Sequence, residues 1–408
     1  MADLIVRNPT PGEVEKAAEI AAIAFPHLSI EHWQRSFNTI ANMFGERFIL
    51  VVEADGQLVS SMVCTPGPIY VGDGVVSHSA VGAVGTIPEY RKQRCAGVMM
   101  AESVGLLRAE RMYTSSLWPF SYKYYRKFGW ELGSEMRSYK ADADVFEQLG
   151  DASKTRPSTI DDLDGIMVVY DEFAHNYNCL TQRTSEWWLD VINGSEWLRP
   201  GSESGAACLV HERDGSIDGY AMYYARTPSE GEQRKVEVRE LVFDEPQDRR
   251  DLLAGLAGLF PGAAISFGAP ADDTFIHELE DPWSVKITIT PSHMFRVIDP
   301  PQAMLSLRGE AHVDGRLSLS ISDPVFEQGF QFGLEVAGGR ASLCKFEPES
   351  ALEMDVGTLA KLYTGCLTPL QAWYLGSVNP RGDTIRDLTL AGYVFSTLTP
   401  HRSWLEPG

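Results

Sequence analysis

The chain has 408 residues, of which 44% are hydrophobic, and a formal net charge of -21 at pH 7. This length predicts two or three domains, each long enough to bury its own core. Nucleic-acid phosphates need a basic protein face, so the charge argues against nucleic acid and favours cationic partners. Most of the acidic excess lies between residues 151 and 295, where a solubilising surface explains it as well as a substrate funnel does.

Hydropathy and cysteine usage indicate the cellular compartment in which we expect the protein. No run of about 18 apolar residues appears, so we expect no membrane span. The first residues, MADLIV, lack a basic region followed by an apolar one, so we expect no secretory signal. The cysteines form no C-x-x-C pair, which favours reduced thiols in the cytoplasm and argues against a metal site. They are Cys64, Cys95, Cys179, Cys208, Cys344 and Cys366.

The opening of the chain mixes strands and helices. The pattern predicts a strand at Leu4–Arg7, an amphipathic helix at Pro11–Phe25 and an aromatic-rich helical turn at His32–Phe37. Strands at Phe48–Ala54 and Gln57–Thr65 flank an Asp-Gly pair, which is typical of a tight hairpin. This mixture predicts an α+β domain.

The stretch Val81–Trp130 has the features of a cofactor site. A strand around Val81–Val84 is followed by a basic turn at Arg91–Arg94, and the small residues Cys95–Gly97 then open an apolar helical pattern. Such a turn points free backbone N–H groups at an anion, and a helix N-terminus adds roughly half a positive charge. The sequence therefore predicts a pyrophosphate-binding turn.

This turn resembles a family motif. The run Arg91-Lys92-Gln93-Arg94-Cys95-Ala96 is similar to the R-x-x-G-x-A loop with which GNAT acetyltransferases hold the pyrophosphate of acetyl-CoA. Arg94 stands where the family usually has glycine, so either the loop backbone is non-standard or the side chain points to solvent. Taken alone, R-x-x-R-x-A is typical of a solvated basic turn.

A second motif follows at the family's separation. The segment Tyr122–Trp130, YKYYRKFGW, resembles the GNAT signature Y-x-x-F-G-[YFW], which lies beside the acetyl-CoA sulfur in that family. The alternative is that Tyr122, Tyr124 and Tyr125 are ordinary core and rim packing. The two motifs together favour a chemical role for Tyr125.

Acetyl transfer from a thioester to an amine needs three groups. A base must take the proton of the ammonium group before the nitrogen attacks. The oxyanion needs a backbone N–H donor, which a distorted strand near Val84–Thr86 would supply. The departing thiolate needs a proton, and a tyrosine hydroxyl, with an ordinary pKa of about 10, still carries one at neutral pH. We expect Tyr125 to be this general acid.

Residues 151–295 repeat the order of the first domain. The repeated elements are a helix at Asp161–Ala174, a hairpin turn at Asp214-Gly215, a strand at Val236–Phe243 and a helix at Arg249–Leu259. Where the first copy is basic, the second has Asp244, Glu245 and Asp248, which would repel a pyrophosphate. We interpret it as a degenerate acetyltransferase repeat that binds no CoA and whose acids attract amines.

Residues 296–408 change character again, with alternating strands followed by helices. The pattern D-x-x-x-L-A-x-L-Y-x-G at Asp355–Gly365 resembles the sterol-carrier-protein-like domain of the Eis (enhanced intracellular survival) acetyltransferases. The resemblance implies a catalytic GNAT domain at 1–150, a degenerate GNAT-like domain at 151–295 and a sterol-carrier-protein-like domain at 296–408. The expected fold class is α+β, with tandem GNAT folds before the third domain.

The Eis resemblance also implies site residues. Val84 and Thr86 would bind the pantetheine through backbone groups, and Arg91, Lys92, Gln93, Arg94, Cys95 and Ala96 would surround the pyrophosphate. Tyr125 would be the general acid and the terminal carboxylate, on Gly408, the base, with Glu406 or a water chain as alternatives. In the segment that covers the acceptor in that family, Phe25, Trp33 and Phe37 are candidate pocket walls, although each also suits core packing.

The predicted function is N-acetylation of a cationic small-molecule amine, aminoglycoside-like or polyamine-like, with acetyl-CoA as co-substrate and no metal. Eis proteins acetylate aminoglycosides at several positions and assemble as hexamers, so the resemblance implies a homo-oligomer without nucleic-acid or membrane partners. Two alternatives stay open. One is a non-catalytic acyl-CoA or lipid-binding protein in which Arg94 marks a lost CoA site, and the other is an acetyltransferase for peptide or protein lysines.

Overall fold

The computed structural model describes residues 3–198, 205–226, 228–229, 231–308, 312–395 and 398–407. Its contacts divide the chain into two compact units. The first contains Met1–Gly133, His293–Thr397 and Pro407–Gly408, and the second contains Ser134–Ser292 and Leu398–Glu406. Within the described ranges, no helix is long and apolar enough to cross a bilayer.

The helices and strands alternate along the whole chain. Up to residue 133 they are β1 (Ile5–Arg7), α1 (Val14–Ala24), α2 (Ile30–Phe44), β2 (Ile49–Ala54), β3 (Gln57–Pro66), β4 (Ile69–Val71), β5 (Gly74–Val76), β6 (His78–Thr86), α3 (Cys95–Ala109), β7 (Thr114–Leu117), α4 (Tyr122–Tyr125) and β8 (Glu131–Leu132). From 134 to 292 they are β9 (Glu135–Asp142), α5 (Ala143–Glu147), β10 (Thr155–Pro157), α6 (Leu163–Ala174), α7 (Gly194–Trp197), β11 (Ala206–Arg213), β12 (Ser216–Arg226), β13 (Lys235–Phe243), α8 (Pro246–Leu259), β14 (Ala264–Pro270) and β15 (Lys286–Pro291). The remainder are β16 (Met294–Val297), α9 (Pro300–Ser306), β17 (Gly315–Ser322), β18 (Phe330–Ala337), β19 (Arg340–Cys344), β20 (Ala351–Asp355), α10 (Val356–Thr364), α11 (Pro369–Tyr374), β21 (Asn379–Pro380) and α12 (Thr384–Val394).

Two large sheets share one plan. The first has the strand order β1-β2-β3-β6-β7-β16-β8 and the second β10-β11-β12-β13-β14-β9-β15. In each, the fourth and fifth strands are parallel and a helix connects them, α3 in the first sheet and α8 in the second. The predicted repeat is therefore present as a repeated topology.

Local sequence explains the matching hairpins. Between β2 and β3 the turn residues Asp55 and Gly56 have φ of 50° and 75°, and between β11 and β12 Asp214 and Gly215 have 53° and 84°. Two consecutive left-handed residues define the turn that matches the twist of flanking antiparallel strands, and Asp-Gly adopts it readily. Both hairpins were predicted from these dipeptides.

Two elements differ from the expectations of local pattern. The helical turn predicted at His32–Phe37 is part of the longer α2. The side chain of Ser29 caps the start of this helix, and the helix ends at Gly45, which has a φ of 94°. Strand β9, although it lies within the expected first domain at 1–150, pairs with β14 and β15 in the second sheet. The boundaries at residues 150 and 295 stay predictions.

The third region adds a smaller sheet to the first unit. Its strand order is β19-β18-β17-β20-β21, with β17 and β20 parallel. Alternate residues of β17, such as Leu317, Leu319 and Ile321, are buried, as expected for a strand with one face on a core. This mixture of helices and sheets confirms the predicted α+β class.

Candidate active site

Strand β6 opens away from its parallel neighbour. The pairing with β7 runs from His78 opposite Thr114 to Val81 opposite Leu117, and β6 then continues through Thr86. On its other side, Ser61 of β3 lies opposite Gly85 and Val63 opposite Gly82, so one extra residue is inserted. This bulge places Ala83 at φ 53°. A bulge turns the strand and leaves peptide groups available to a ligand.

The two sequence-predicted residues at this opening are half-buried. Val84 packs at the edge of the first core, and Thr86 places its hydroxyl 2.8 Å from that of Ser60. Below the opening, the buried His78 ring joins the parallel strands, with Nδ1 3.0 Å from the Thr114 hydroxyl and Nε2 2.9 Å from the Ser116 hydroxyl. The strands are therefore fixed together just before they diverge.

The basic turn has the backbone that the family's glycine suits. Lys92 and Arg94 have φ of 64° and 69°, in the left-handed region where glycine is preferred. Arg94 is the N-cap of α3 and its side chain makes no cap hydrogen bond. The side chains of Arg91–Arg94 are all exposed. Of the two possibilities for Arg94, the side chain thus points to solvent, and the loop keeps the left-handed bend.

The first turn of α3 is available to an anion. The Val98 N–H donates to the Arg94 carbonyl at 3.0 Å, which makes Cys95, Ala96 and Gly97 the first-turn residues whose N–H groups have no intrahelical acceptor. Around them lie exposed cations. This arrangement fits a pyrophosphate, which the helix N-terminus and the guanidinium groups would bind together.

The other members of the predicted loop have structural contacts. Arg91 Nε donates to the Thr86 carbonyl at 3.2 Å, so the basic turn is tied to the end of β6. The Gln93 side-chain amide donates to the Glu89 carbonyl at 2.8 Å. Cys95 is buried with its Sγ 3.7 Å from the Tyr90 carbonyl oxygen, and desolvation raises the pKa of its thiol. Ala96 is half-buried.

The segment Tyr122–Trp130, called the aromatic turn from here on, packs on α3. Its first helical turn, α4, is capped by Ser121, whose hydroxyl accepts the Tyr124 N–H at 3.3 Å. A Cβ built on Gly97 would lie 3.8 Å from Phe128 Cζ and 4.0 Å from Tyr124 Oη. The structure therefore brings the aromatic turn against the first turn of α3.

Tyr125 is the more deeply buried of the two neighbouring phenols. It is 3% exposed, and its ring centroid lies 5.2 Å from those of Tyr124 and Phe120. Desolvation, and secondarily the neighbouring Tyr124, raise the pKa of the Tyr125 hydroxyl well above its ordinary value. Its proton is therefore retained at neutral pH, which is what a general acid requires.

Two neighbours of Tyr125 were missed as functional candidates. Among the described residues, the Tyr124 hydroxyl is a buried polar group without a hydrogen-bond partner, and burial raises its pKa. Phe120, 74% exposed, covers both tyrosine rings. The signal available in sequence was the aromatic density around the signature, which does not say which ring is exposed.

The predicted acceptor walls separate by exposure. Phe25 is half-buried and its ring lies 5.3 Å from that of Trp33, which is 9% exposed. The Trp33 indole N–H is buried without a partner in the described part of the chain. Phe37 has no exposed surface and belongs to the core. Phe25 and Trp33 therefore form a joint aromatic surface, whereas Phe37 supports it from the core.

The alternative base Glu406 lies in a buried ionic network of the second unit. Its carboxylate pairs with Arg183 at 2.6 Å and Arg402 at 3.6 Å, and accepts hydrogen bonds from Tyr170 and Thr181. Burial by itself would raise the pKa of Glu406, but the two guanidinium groups outweigh burial and lower it. Such a carboxylate is a poor proton acceptor. The other candidate base, Gly408, lies outside the described residues.

The helix corresponding to α3 in the second sheet is closed to anions. At the start of α8, Glu245 and Asp248 form a capping box, in which the Glu245 N–H donates to Asp248 at 2.9 Å. The ligand atoms of Asp248, Asp218 and His211 lie within 4.8 Å of one another. Arg213, however, pairs with both of these aspartates. These two carboxylates therefore already pair with a guanidinium, and they would repel a phosphate.

Comparison with known proteins finds three family models that match successive parts of the chain. Residues 5–133 match a family model described as an acetyltransferase (GNAT) domain, residues 179–297 match a second such model, and residues 301–403 match a sterol carrier protein domain. The chain is 30% identical over 169 residues to proteins named N-acetyltransferase Eis from Mycobacterium bovis and Mycobacterium tuberculosis. This is an Eis-like GNAT protein with a C-terminal sterol-carrier domain. The match to those Eis proteins spans 41% of this chain and 39% of the relative.

Solved structures share the fold of this Eis-like chain over nearly its whole length. A GCN5-related N-acetyltransferase from Anabaena variabilis has a TM-score of 0.84 at 18% identity, covering 98% of each chain. One from Kribbella flavida has a TM-score of 0.79 at 20% identity, covering 100% of this chain and 99% of that one. Eis1 from Mycobacterium abscessus has a TM-score of 0.74 at 17% identity, covering 98% and 99%. At these identities the likeness concerns the fold alone.

Proposed function

We propose that this protein is an acetyl-CoA-dependent N-acetyltransferase that acts on a cationic small-molecule amine. The observation that carries the proposal is the packing of the aromatic turn of Tyr125 on the first turn of α3, beside the exposed cations of Arg91–Arg94. A helix N-terminus surrounded by cations and a segment with a buried phenol are thereby in contact. These are the two groups that a thioester donor needs at its pyrophosphate and at its sulfur.

In this scheme the chain's own groups divide the binding of the donor. The N–H groups of Cys95–Gly97, with Arg91, Lys92 and Arg94, would hold the pyrophosphate. The peptide groups of Val84 and Thr86, on the open part of β6, would bind the pantetheine arm. A backbone N–H at the bulge would stabilise the oxyanion, a contribution that in other acyl transfers is worth roughly 100-fold in rate or more.

Acetyl transfer takes two protons from the amine nitrogen and gives one to the sulfur. A base takes the first proton from the ammonium group, and the free amine nitrogen forms a bond to the thioester carbonyl carbon. The nitrogen then loses its second proton to solvent as the carbon–sulfur bond breaks. Tyr125 gives its hydroxyl proton to the departing sulfur and is reprotonated from the base or solvent. The products are an acetamide and free CoA thiol.

The proposed base is the terminal carboxylate of Gly408. It is favoured over Glu406 because Glu406 is already paired with Arg183 and Arg402. The preceding residues are also fixed, since the His401 N–H donates to the Asn178 carbonyl and the Trp404 N–H to the Arg239 carbonyl. Appending one alanine to the chain would displace the carboxylate, and we expect kcat to fall at least tenfold with the KM for acetyl-CoA unchanged. An unchanged kcat would remove Gly408 from the mechanism.

The acceptor is proposed to be aminoglycoside-like or polyamine-like. The net charge of -21 favours polycationic molecules, and the relatives are named for N-acetyltransferase activity. Release of free thiol from acetyl-CoA should be measured with an aminoglycoside, a polyamine and a lysine peptide at equal concentrations. We expect turnover with at least one of the two small polycations and a lower kcat/KM with the peptide. Thiol release confined to the peptide would favour a lysine acetyltransferase, and no release together with no binding of acetyl-CoA would contradict the proposal.

From the resemblance to Eis proteins we further propose that the protein forms a homo-oligomer of six copies. The sterol-carrier region exposes large apolar side chains on α11, at the residue that follows it and at the start of α12, which is unusual for a surface in water. They are Leu370, Tyr374, Leu375 and Ile385. Light scattering after size-exclusion chromatography should give a mass near six times that of the chain, and Leu375→Glu should lower it. A monomer mass would contradict the assembly without bearing on the chemistry.

A further inference from the structure

Both ends of the aromatic turn are paired with one strand, β16, which is more than 150 residues away in the sequence. Strand β16 lies between β7, which precedes the turn, and β8, which follows it. Met294 pairs with Leu117 on one side and with Leu132 on the other. The turn that carries Tyr125 is thus a loop whose two ends are fixed to β16.

Arg296 of the same strand also holds the middle of the turn. Its guanidinium Nη1 donates to the Phe128 carbonyl at 2.6 Å, and its Nη2 donates to both carboxylate oxygens of Asp323, at 3.0 and 2.7 Å. The side chains of Arg296 and Asp323 have no exposed surface. Asp323 Oδ1 in turn accepts the N–H groups of Val325 and Phe326, at 2.8 and 3.1 Å. A buried, charge-assisted chain therefore runs from the sterol-carrier region to the end of the aromatic turn.

The guanidinium of Arg296 occupies the space that a side chain at position 129 would need. A Cβ on Gly129 would lie 1.7 Å from Arg296 Nη1 and 2.7 Å from Val356 Cγ1, and Gly129 itself has φ 85°. A second contact is less tight, since a Cβ on Gly357 would lie 3.1 Å from Glu131 Cβ. The turn and the start of α10 therefore pack closely, and the contact at position 129 requires glycine.

We propose that Arg296 is a positioning residue which, clamped by Asp323 of the sterol-carrier region, holds the Phe128 carbonyl and thereby sets the position of Tyr125. The inference rests on the proposed function and assigns the third region a part in catalysis. Tyr125 lies three residues before Phe128 in a single short helical segment, so a shift of the carbonyl moves the phenol. Misplacing a reacting group by about 1 Å costs roughly 100-fold in rate.

The first test measures whether Arg296 holds the turn. Hydrogen–deuterium exchange of residues 118–132 should be compared between the wild type, Arg296→Met and Asp323→Asn. We expect faster exchange in both variants, at least tenfold for Arg296→Met. The matched control is Arg249→Met, which removes a buried arginine paired with Asp273 and Glu278 in the second unit and should leave exchange of 118–132 unchanged. Unchanged exchange in Arg296→Met or, where that variant does not fold, in Asp323→Asn would overturn the inference.

The second test uses kinetics that a purely structural role would not alter. We expect Arg296→Met to lower kcat at least tenfold with the KM for acetyl-CoA within about twofold, and Arg296→Lys to recover part of the loss, because an ammonium still donates to the Phe128 carbonyl. In a Tyr125→Phe background, Arg296→Met should have little further effect. A full, multiplicative loss in that background would overturn the positioning role. Absence of thiol release in the wild type would instead refute the proposed function, and the exchange comparison would then decide alone whether Arg296 holds the turn.

Discussion

Two tyrosines with different surroundings stand next to each other in the aromatic turn, and their shared feature is burial. Desolvation raises the pKa of both Tyr125 and Tyr124. A phenol whose pKa is raised keeps its proton further into the alkaline range, so no acid group of the mechanism is lost between pH 7 and 10. The chemistry at this position is thus set by the environment that the turn creates, and the identity of the side chain alone does not determine it.

The raised pKa of Tyr125 predicts how kcat/KM depends on pH. We expect kcat/KM to rise with pH as the amine and the base deprotonate, without a descending limb below about pH 10, because Tyr125 remains protonated. The measurement is an initial-rate profile of thiol release from pH 6 to 10, with the amine concentration varied at each pH. A descending limb centred near pH 8 would mean that the general acid is a different, more acidic group.

Arg94 occupies a backbone conformation that favours glycine. Arg94→Gly should raise the free energy of unfolding by about 1 kcal/mol, because glycine adopts a φ of 69° without steric cost. Arg94→Ala removes the same guanidinium but keeps a Cβ at that φ, so it serves as the matched control and should not stabilise. Urea unfolding compares the two. Equal stability of both variants would show that the left-handed bend is not strained.

At the scale of elements, two equivalent helix N-termini have opposite character. The start of α3 is uncapped and surrounded by exposed cations, whereas Glu245 and Asp248 of α8 cap their own helix. A capping box satisfies the N–H groups that an anion would otherwise bind, and its carboxylates repel phosphate. The proposed pyrophosphate site therefore belongs to the first repeat, whereas the carboxylates of the second repeat cap the equivalent helix.

We expect the positive charges of the basic turn before α3 to strengthen the binding of acetyl-CoA. Arg91→Ala and Lys92→Ala should each raise the KM for acetyl-CoA severalfold with kcat nearly unchanged, since they remove binding that is equal in the ground and transition states. The KM should also rise with ionic strength, because exposed charges are screened by salt. Arg316→Ala, on the sheet of the sterol-carrier region, is the control with the same charge change. A fall in kcat alone would contradict a pyrophosphate-binding role.

The sequence predicts helices, hairpins and the basic turn well because each depends on neighbours along the chain. Asp55-Gly56 and Asp214-Gly215 specify their turns locally, and the charges at Arg91–Arg94 are readable as charges. Strand partners are different. Nothing within β9 or β16 says which sheet receives it, because pairing is decided by contacts more than a hundred residues away. The same reason hides Arg296, whose two partners, Phe128 and Asp323, lie in separate parts of the sequence.

At the scale of the molecule, the stability of the second unit depends on buried ion pairs and on the buried, neutral His401. The His401 backbone N–H donates to the Asn178 carbonyl, and its ring lies near those of Phe173 and Tyr177. Desolvation outweighs the attraction of nearby carboxylates and lowers the pKa of His401 to about 4. The imidazole is therefore neutral in the folded protein at all physiological pH values.

This predicts loss of stability in acid. The unfolded chain binds a proton on His401 below its ordinary pKa of about 6.5, whereas the folded chain does so only near 4, so the free energy of unfolding falls as pH drops through that window, by about 3 kcal/mol for this group. Urea unfolding between pH 7 and 4 measures it. His401→Asn cannot take up the proton and should show a shallower slope. An equal slope in both proteins would mean that other groups, such as the network around Glu406, account for the acid sensitivity.

In the proposed acetyl-transfer site, strand β6, the basic turn and the Tyr125 phenol act together on one donor. We therefore expect that Tyr125→Phe, which keeps the ring and its packing but removes the proton, lowers kcat for thiol release from acetyl-CoA by roughly 100-fold or more. The KM for acetyl-CoA should stay within about twofold, and Tyr124→Phe is the control at the neighbouring phenol. The most direct measurement is therefore kcat of Tyr125→Phe beside the wild type with the best amine of the panel. A 100-fold loss supports the account, and an unchanged kcat contradicts it.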